Sequence, residues 1–353
     1  MNYTPGRSAA LPLMFIAIVT RLFCEMALID PAAHNAAWIC PLAALILYLP
    51  FAFALKRAAA LGNDSAWGNL DRGLPRLLAV LIPILFALLL LMDASAMLRI
   101  AADTASFNIG DKAAITLELP LMLLLGLMVL LGPDAAGHNA RISLFILGAL
   151  LLILALSQLS IYRFGWIFPI LGSGLADVLT GALRCAGHMA LLSLLWLFAV
   201  PDRARSTPLL WGSAAGLLAV LLLLGLHMLS PSFVGTQLLL PARLEILLNN
   251  GRVPISLQLV YLVLWYGGLL HLISMEAVAA ACIVRRLIPG MRLWLVALIE
   301  ALAVFLAAEN AAVQAFIHGN ASDWLYPAVG LLMILALAIA GLSKGDGRTC
   351  GAS

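Results

Sequence analysis

From Leu11 to Leu342, apolar runs of about twenty residues follow one another, separated by short polar or charged breaks. At 1.5 Å per residue, such a run matches the roughly 30 Å hydrocarbon core of a bilayer. Backbone groups in hydrocarbon find no water, so each run must satisfy its own hydrogen bonds as a helix. The pattern predicts spans at Leu11–Ile29, Ala37–Leu55, Leu77–Leu98, Ala113–Gly132, Ile142–Tyr162, Phe164–Ala199, Leu209–Leu229, Leu257–Val284, Leu293–Ala308 and Trp324–Leu342. The expectation is an all-α, polytopic membrane protein of about ten transmembrane helices. One transmembrane domain would cover 11–343, preceded by a short N-terminus at 1–10 and followed by a tail at 344–353.

Charge sets the orientation. With the N-terminus inside, Arg99, Lys112, Arg163, Arg243 and Arg252 fall in outer loops, and Arg21 and Arg184 lie within spans. The other Lys and Arg residues, among them Lys56, Arg57, Arg285, Arg286 and Lys344, fall on the inner side. This excess of inner positive charge predicts both termini in the cytoplasm. The first run reads as a retained helix, since no small-residue cleavage site follows it. Trp38, Trp67, Trp166, Trp211, Trp294 and Trp324 stand near span ends, where an amphipathic indole anchors to the interface.

Composition narrows the function classes. Hydrophobic residues make up 64% of the chain and charged residues 10%, against about half and a quarter in soluble domains. No basic cluster points to nucleic acid, and the net charge is only +3. The five cysteines show no CxxC spacing, which argues against a metal site or disulfide framework. No cofactor motif occurs. Asp134 and His138, in a Pro-Asp-Ala-Ala-Gly-His loop, are the nearest approach to an enzyme-like pair, and they read as a solvated turn. The expectation is that the protein is no enzyme. Between Ser230 and Ser256 the segment Pro241–Asn250 carries Leu244, Leu247 and Leu248 at helical spacing, a short amphipathic helix on the outer face.

The chemistry lies inside the spans. Arg21 and Glu25 stand four apart in the first run, on one helix face, where an ion pair can neutralise itself. The pair serves either as a structural link between helices or as the wall of a ligand chamber. Asp93 in the third span and Glu276 in the eighth raise the same choice, His271 and Glu300 more weakly. Each ionisable group at that depth costs roughly 2.5–3.5 kcal/mol on insertion scales, so each needs a partner or water. The sixth region is rich in Gly and contains Arg184 and His188. It predicts one half-helix around Asp177–Leu183, a break near Cys185–Gly187, and a second half-helix after it. Odd first and sixth spans, each heading five, predict a five-plus-five inverted repeat, with repeat one about 11–162 and repeat two about 164–342.

The order of several pieces resembles the spore germination AB family, the B subunit of endospore germinant receptors, within the amino acid–polyamine–organocation transporter superfamily. These are Arg21 within the first span, Asn35-Ala-Ala-Trp-Ile opening the second, and Asp177-Val-Leu-Thr-Gly-Ala-Leu at the sixth. Leu240-Pro-Ala-Arg-Leu-Glu-Ile-Leu follows, and then a long eighth span through Trp265. Two positions depart from the family: Phe23 and Cys24 replace a usual Gly, and Ala190-Leu-Leu replaces a usual Phe-Gly-Glu. The resemblance implies a leucine-transporter-type fold with broken first and sixth helices. It implies nutrient sensing, typically of an amino acid, in the spore inner membrane, alongside an A subunit and a lipoprotein C subunit. The ligand would sit among Phe23, Cys24 and Glu25 of the first helix and Ala186, Gly187 and His188 of the sixth. The third and eighth spans, with Asp93, Trp265 and Glu276, would flank it. The competing expectation is a proton- or sodium-coupled amino acid permease, with Glu25 or Asp93 as coupling group.

Overall fold

Each apolar run contains a helix in the computed structural model. It describes residues 12–22, 24, 34–60, 70–71, 74–109, 113–157, 162–168, 170–171, 174–199, 207–229, 255–317 and 320–342. The helices are α1 (Pro12–Leu22), α2 (Cys40–Ala60), α3 (Arg76–Ile109), α4 (Ala113–Ser157) and α5 (Leu175–Ala199). They continue with α6 (Thr207–Leu229), α7 (Ile255–Leu287), α8 (Leu293–Glu309), α9 (Ala311–Ile317) and α10 (Asn320–Leu342). Short 3-10 turns stand at His34–Ile39 and Phe164–Ile167. Among the described residues, α2 to α5 and α7 are each long and apolar enough to cross a bilayer alone.

Three local features differ from the sequence expectation. The fourth and fifth spans form one element, α4, folded at Gly132 (φ 81°, ψ −178°). Only glycine takes that conformation at low cost. Pro133 then opens the second half, where its missing N–H is no loss. The expected turn around Asp134 and His138 is therefore helical. The sixth span is interrupted before Leu175, not at Cys185–Gly187. Phe164–Ile167 forms a 3-10 turn, Gly174 takes φ 115°, and one α-helix then runs without a break to Ala199. Leu and Ala on either side of Gly187 are strong helix formers, and they outweigh a single glycine. Finally, α8 ends at Asn310, where the chain bends by 84° into α9. Asn310 accepts the N–H groups of Ala312 and Val313 at 3.0 and 3.2 Å, capping the new helix. The expected amphipathic helix at Pro241–Asn250 and the continuation of the first span past Cys24 lie outside the described residues.

The helices assemble in two groups. α7 packs along α3 and α4, with α8 beside them; α5 packs along α2 and α10, with α6 against α2. α1 sits where the groups meet. Its Phe15 ring meets Trp211 of α6 edge-on at 5.4 Å. On α7, a Cβ at Gly268 would stand 2.5 Å from the Thr20 hydroxyl of α1, so only glycine admits this approach. Small residues line the other close contacts, including buried Ala94, Ala96 and Ala101 on α3 and Ala277, Ala280 and Ala281 on α7. In lipid no hydrophobic force joins helices, so such residues bring backbones into dispersion contact. Large apolar side chains point outward instead, among them Leu88 on α3, Leu123 on α4 and Leu302 on α8. The membrane windows of α5 and α7 are 72% and 78% buried, those of α2 and α4 only 33% and 28%.

Candidate functional site

Arg21 brings a positive charge to the meeting point of five helices. Packing of Thr20 on Gly268 sets the depth of α1, and the next residue, Arg21, is buried. Its Nη2 lies 2.8 Å from Asp93 Oδ1 of α3. Its Nε donates to His188 Nδ1 of α5 at 3.0 Å, and Nη2 lies 3.1 Å from His188 Nε2. Its Nη1 donates to the Met97 sulfur at 3.4 Å. Met97 follows Asp93 by one helical turn, so both face α1. From α10, the Tyr326 hydroxyl donates to Asp93 Oδ1 at 3.2 Å, and its ring lies 4.1 Å from the His188 ring.

The bonding fixes one protonation state. An imidazole nitrogen that accepts from a guanidinium has a free lone pair, so His188 is neutral here. Arg21 and Asp93 then balance in charge. Glu276 of α7, fully buried, adds a second carboxyl facing Asp93. Among the described residues, none donates a hydrogen bond to either Glu276 oxygen or to Asp93 Oδ2. Leaving a buried charge uncompensated costs about 3–5 kcal/mol. Among the described residues, two carboxyls thus adjoin the Arg21 guanidinium.

The expected site residues are only partly brought together. Arg21, Asp93, His188 and Glu276 meet in one cluster. Gly187 faces α10: a Cβ there would stand 2.8 Å from Pro327 Cδ, so its role is close packing of α5 on α10. Ala186 and Cys24 are buried in the apolar core. Trp265 is buried too, but eleven residues before Glu276 on α7, about 16 Å along the axis. Phe23 and Glu25 lie outside the described residues, so the expected Arg21–Glu25 pair does as well. Met97 and Tyr326 were not expected. Met97 was legible as the residue one turn from Asp93, whereas Tyr326, beside Trp324 at a span end, has the signature of an interfacial anchor.

Other buried polar groups stand apart from this cluster. Glu300 of α8 is buried near Cys282 of α7, and among the described residues neither of its oxygens has a hydrogen-bond partner. His271 is buried on α7. Where α3 and α8 end and α4 begins, Arg99 pairs with Asp103 at 3.0 Å and Glu309 at 3.3 Å, with Glu118 adjoining. At another corner Arg286 pairs with Asp71. Among the described residues, no group of three or more His, Cys, Asp and Glu is arranged to hold a metal ion.

The fold has known counterparts. The chain superposes on a substrate-bound, outward-open Na+-coupled sialic acid symporter with TM-score 0.68 and 12% identity, covering 99% of this chain and 92% of that one. It also superposes on a point mutant of the Eremococcus coleocola manganese transporter, with TM-score 0.54 and 15% identity, covering 98% and 88%. These likenesses establish a leucine-transporter-type fold and, at such identity, nothing of substrate. No curated protein matches the sequence. A family profile described as "spore germination protein" matches residues 10–315.

Proposed function

We propose that this chain, which belongs to the spore germination protein family, is a nutrient-sensing subunit of an endospore germinant receptor. Family and fold are those of permeases and transporters. In this reading the chain binds a small nutrient, an amino acid in the first instance, in the spore inner membrane with both termini cytoplasmic. A and C subunits carry the signal onward. The two halves, about 11–162 and 164–342, form inverted repeats around the ligand site.

The observation that carries the reading is the buried cluster of Arg21, Asp93, His188, Tyr326 and Glu276. Five helices of a transporter-type fold supply it, from both helix groups. A ligand that reorganises this cluster shifts α1 and α5 relative to α3, α7 and α10, the coupling a receptor needs. A panel of amino acids, screened for thermal stabilisation of the purified chain, tests it. A binder at a hundred times its Kd adds about 2.7 kcal/mol. The expected result is stabilisation by one ligand and its loss in Asp93→Asn. Absence of any stabilisation, in the chain alone and with its companion subunits, refutes nutrient binding.

The excess carboxylate favours a second reading, an amino acid permease coupled to protons or sodium. Uptake by proteoliposomes that contain this chain alone distinguishes the two: the receptor predicts none, the permease predicts ion-dependent accumulation.

A further inference from the structure

We propose that the turn between α7 and α8 binds the headgroup of an anionic lipid, held between Arg285 and Arg292. The surface is separate from the Arg21 cluster, and the proposal requires neither a nutrient nor a companion subunit.

The turn sorts its side chains. Leu287, Met291 and Leu293 are half-buried and pack on the core. Arg285 and Arg292 are exposed, and so are Ile288 at 51% and Trp294 at 53%. Backbone bonds close the loop. The Ile288 N–H donates to the Val284 carbonyl at 2.8 Å, and the Met291 N–H to that of Ile288 at 3.1 Å. The N–H groups of Leu295 and Val296 then donate to the Arg292 carbonyl at 3.0 and 3.2 Å, where α8 begins. Two arginines and two apolar side chains are thus held outward before any lipid arrives, and such preorganisation lowers the cost of binding.

Depth and chemistry agree. An indole at a span end sits between hydrocarbon and headgroups, so Trp294 marks this turn as lying at headgroup depth. Ile288 there meets acyl carbon, while the arginines reach the phosphates. A guanidinium presents paired N–H donors that match phosphate oxygens two at a time.

The surroundings leave this charge uncancelled. Arg286, the third arginine of the turn, pairs with Asp71 of the segment between α2 and α3. Among the described residues, no carboxylate pairs with Arg285 or Arg292. The Arg286–Asp71 contact also puts the start of α3, with exposed Arg76, on the same face. The carboxyls described on this face are Asp71, already paired, and Asp134, beyond the fold in α4. The opposite face has the reverse character. Asp103 and Glu309 share Arg99 there at 3.0 and 3.3 Å, and Glu118 adjoins them. A basic face at one end of the bundle fits a leaflet of anionic lipid, which attracts Lys and Arg at its surface. A zwitterionic headgroup carries no net charge for it to meet.

The test is quenching of Trp294 by brominated lipid, with the full chain in nanodiscs. The emission that Trp294→Phe removes reports on this turn. Each basic side chain at an anionic surface contributes about fivefold to binding. The pair therefore predicts that brominated phosphatidylglycerol binds here on the order of twenty-five-fold more tightly than brominated phosphatidylcholine. Arg285→Gln and Arg292→Gln should each lower that preference about fivefold, and the double variant should abolish it. Arg99→Gln, on the opposite face, should leave it unchanged. In the wild type, 1 M salt, with a Debye length of about 3 Å, should weaken the preference, a readout that needs no variant to fold. Equal binding of the two lipids by the wild type overturns the proposal and leaves this face to a soluble acidic partner. A preference that survives the double variant, or one that 1 M salt does not weaken, also overturns it.

Discussion

Arg21→Met should be the costliest single change in the cluster. Methionine keeps much of the volume and removes the charge. Asp93 and Glu276 then face each other without the guanidinium, and His188 loses its donor at 3.0 Å. Removing one partner of a buried ion pair costs about 3–5 kcal/mol, and we expect Arg21→Met in that range. Asp93→Asn should cost less, about 1–3 kcal/mol. Its amide oxygen still accepts from Tyr326 and Arg21, and Glu276 stands ready to balance the guanidinium. The double variant retains one buried carboxyl, which can be carried neutral. Its cost should fall short of the sum of the singles by about 1–3 kcal/mol. Reversible unfolding of the purified chain in mixed micelles, followed by tryptophan fluorescence, measures all three. Costs that add within about 0.5 kcal/mol would show the two groups to be energetically independent. Equal costs for the two singles would show that Glu276 gives Arg21 no second partner. Either result refutes the reasoning.

Two further outcomes are expected. Gly187→Ala puts a methyl group 2.8 Å from the Pro327 ring and should destabilise the chain by about 1–3 kcal/mol. Gly126→Ala, with nothing within 4 Å, should be neutral or slightly stabilising; similar melting temperatures for the two would contradict this α5–α10 contact. Leu123→Arg, on an exposed face of α4 read here as lipid-facing, should cost about 2.5–3.5 kcal/mol and reduce the membrane-inserted yield. An unchanged yield would mean that this face of α4 meets water or a partner instead.

The spans were legible because the bilayer dictates their length. Leu293–Ala308 was expected and Leu293–Glu309 found; Leu209–Leu229 was expected and Thr207–Leu229 found. The misreadings come from Gly and Pro, whose effect depends on context. Gly187 reads as a break, but it serves packing in an unbroken helix. Gly132 and Pro133 read as an opening loop, but they make a tight fold with helix on both sides. The chemistry was half legible. An Arg, an Asp and a Glu in apolar runs stand out from any sequence. Which of them meet does not, because Arg21 and Asp93 are 72 residues apart and join only through the order in which helices pack. The partner four residues on, Glu25, lies outside the described residues, whereas the distant one stands at 2.8 Å.

The contrast between sheltered α5 and α7 and outward-facing α2 and α4 bears on how surroundings reach the molecule's centre. Acyl chains touch chiefly the peripheral staves, while Glu276 and His188 ride on the two innermost ones. A thicker or stiffer membrane would press first on the outward apolar side chains of α2 and α4. It reaches the central residues only by shifting whole helices, so such a centre is shielded from its host lipid.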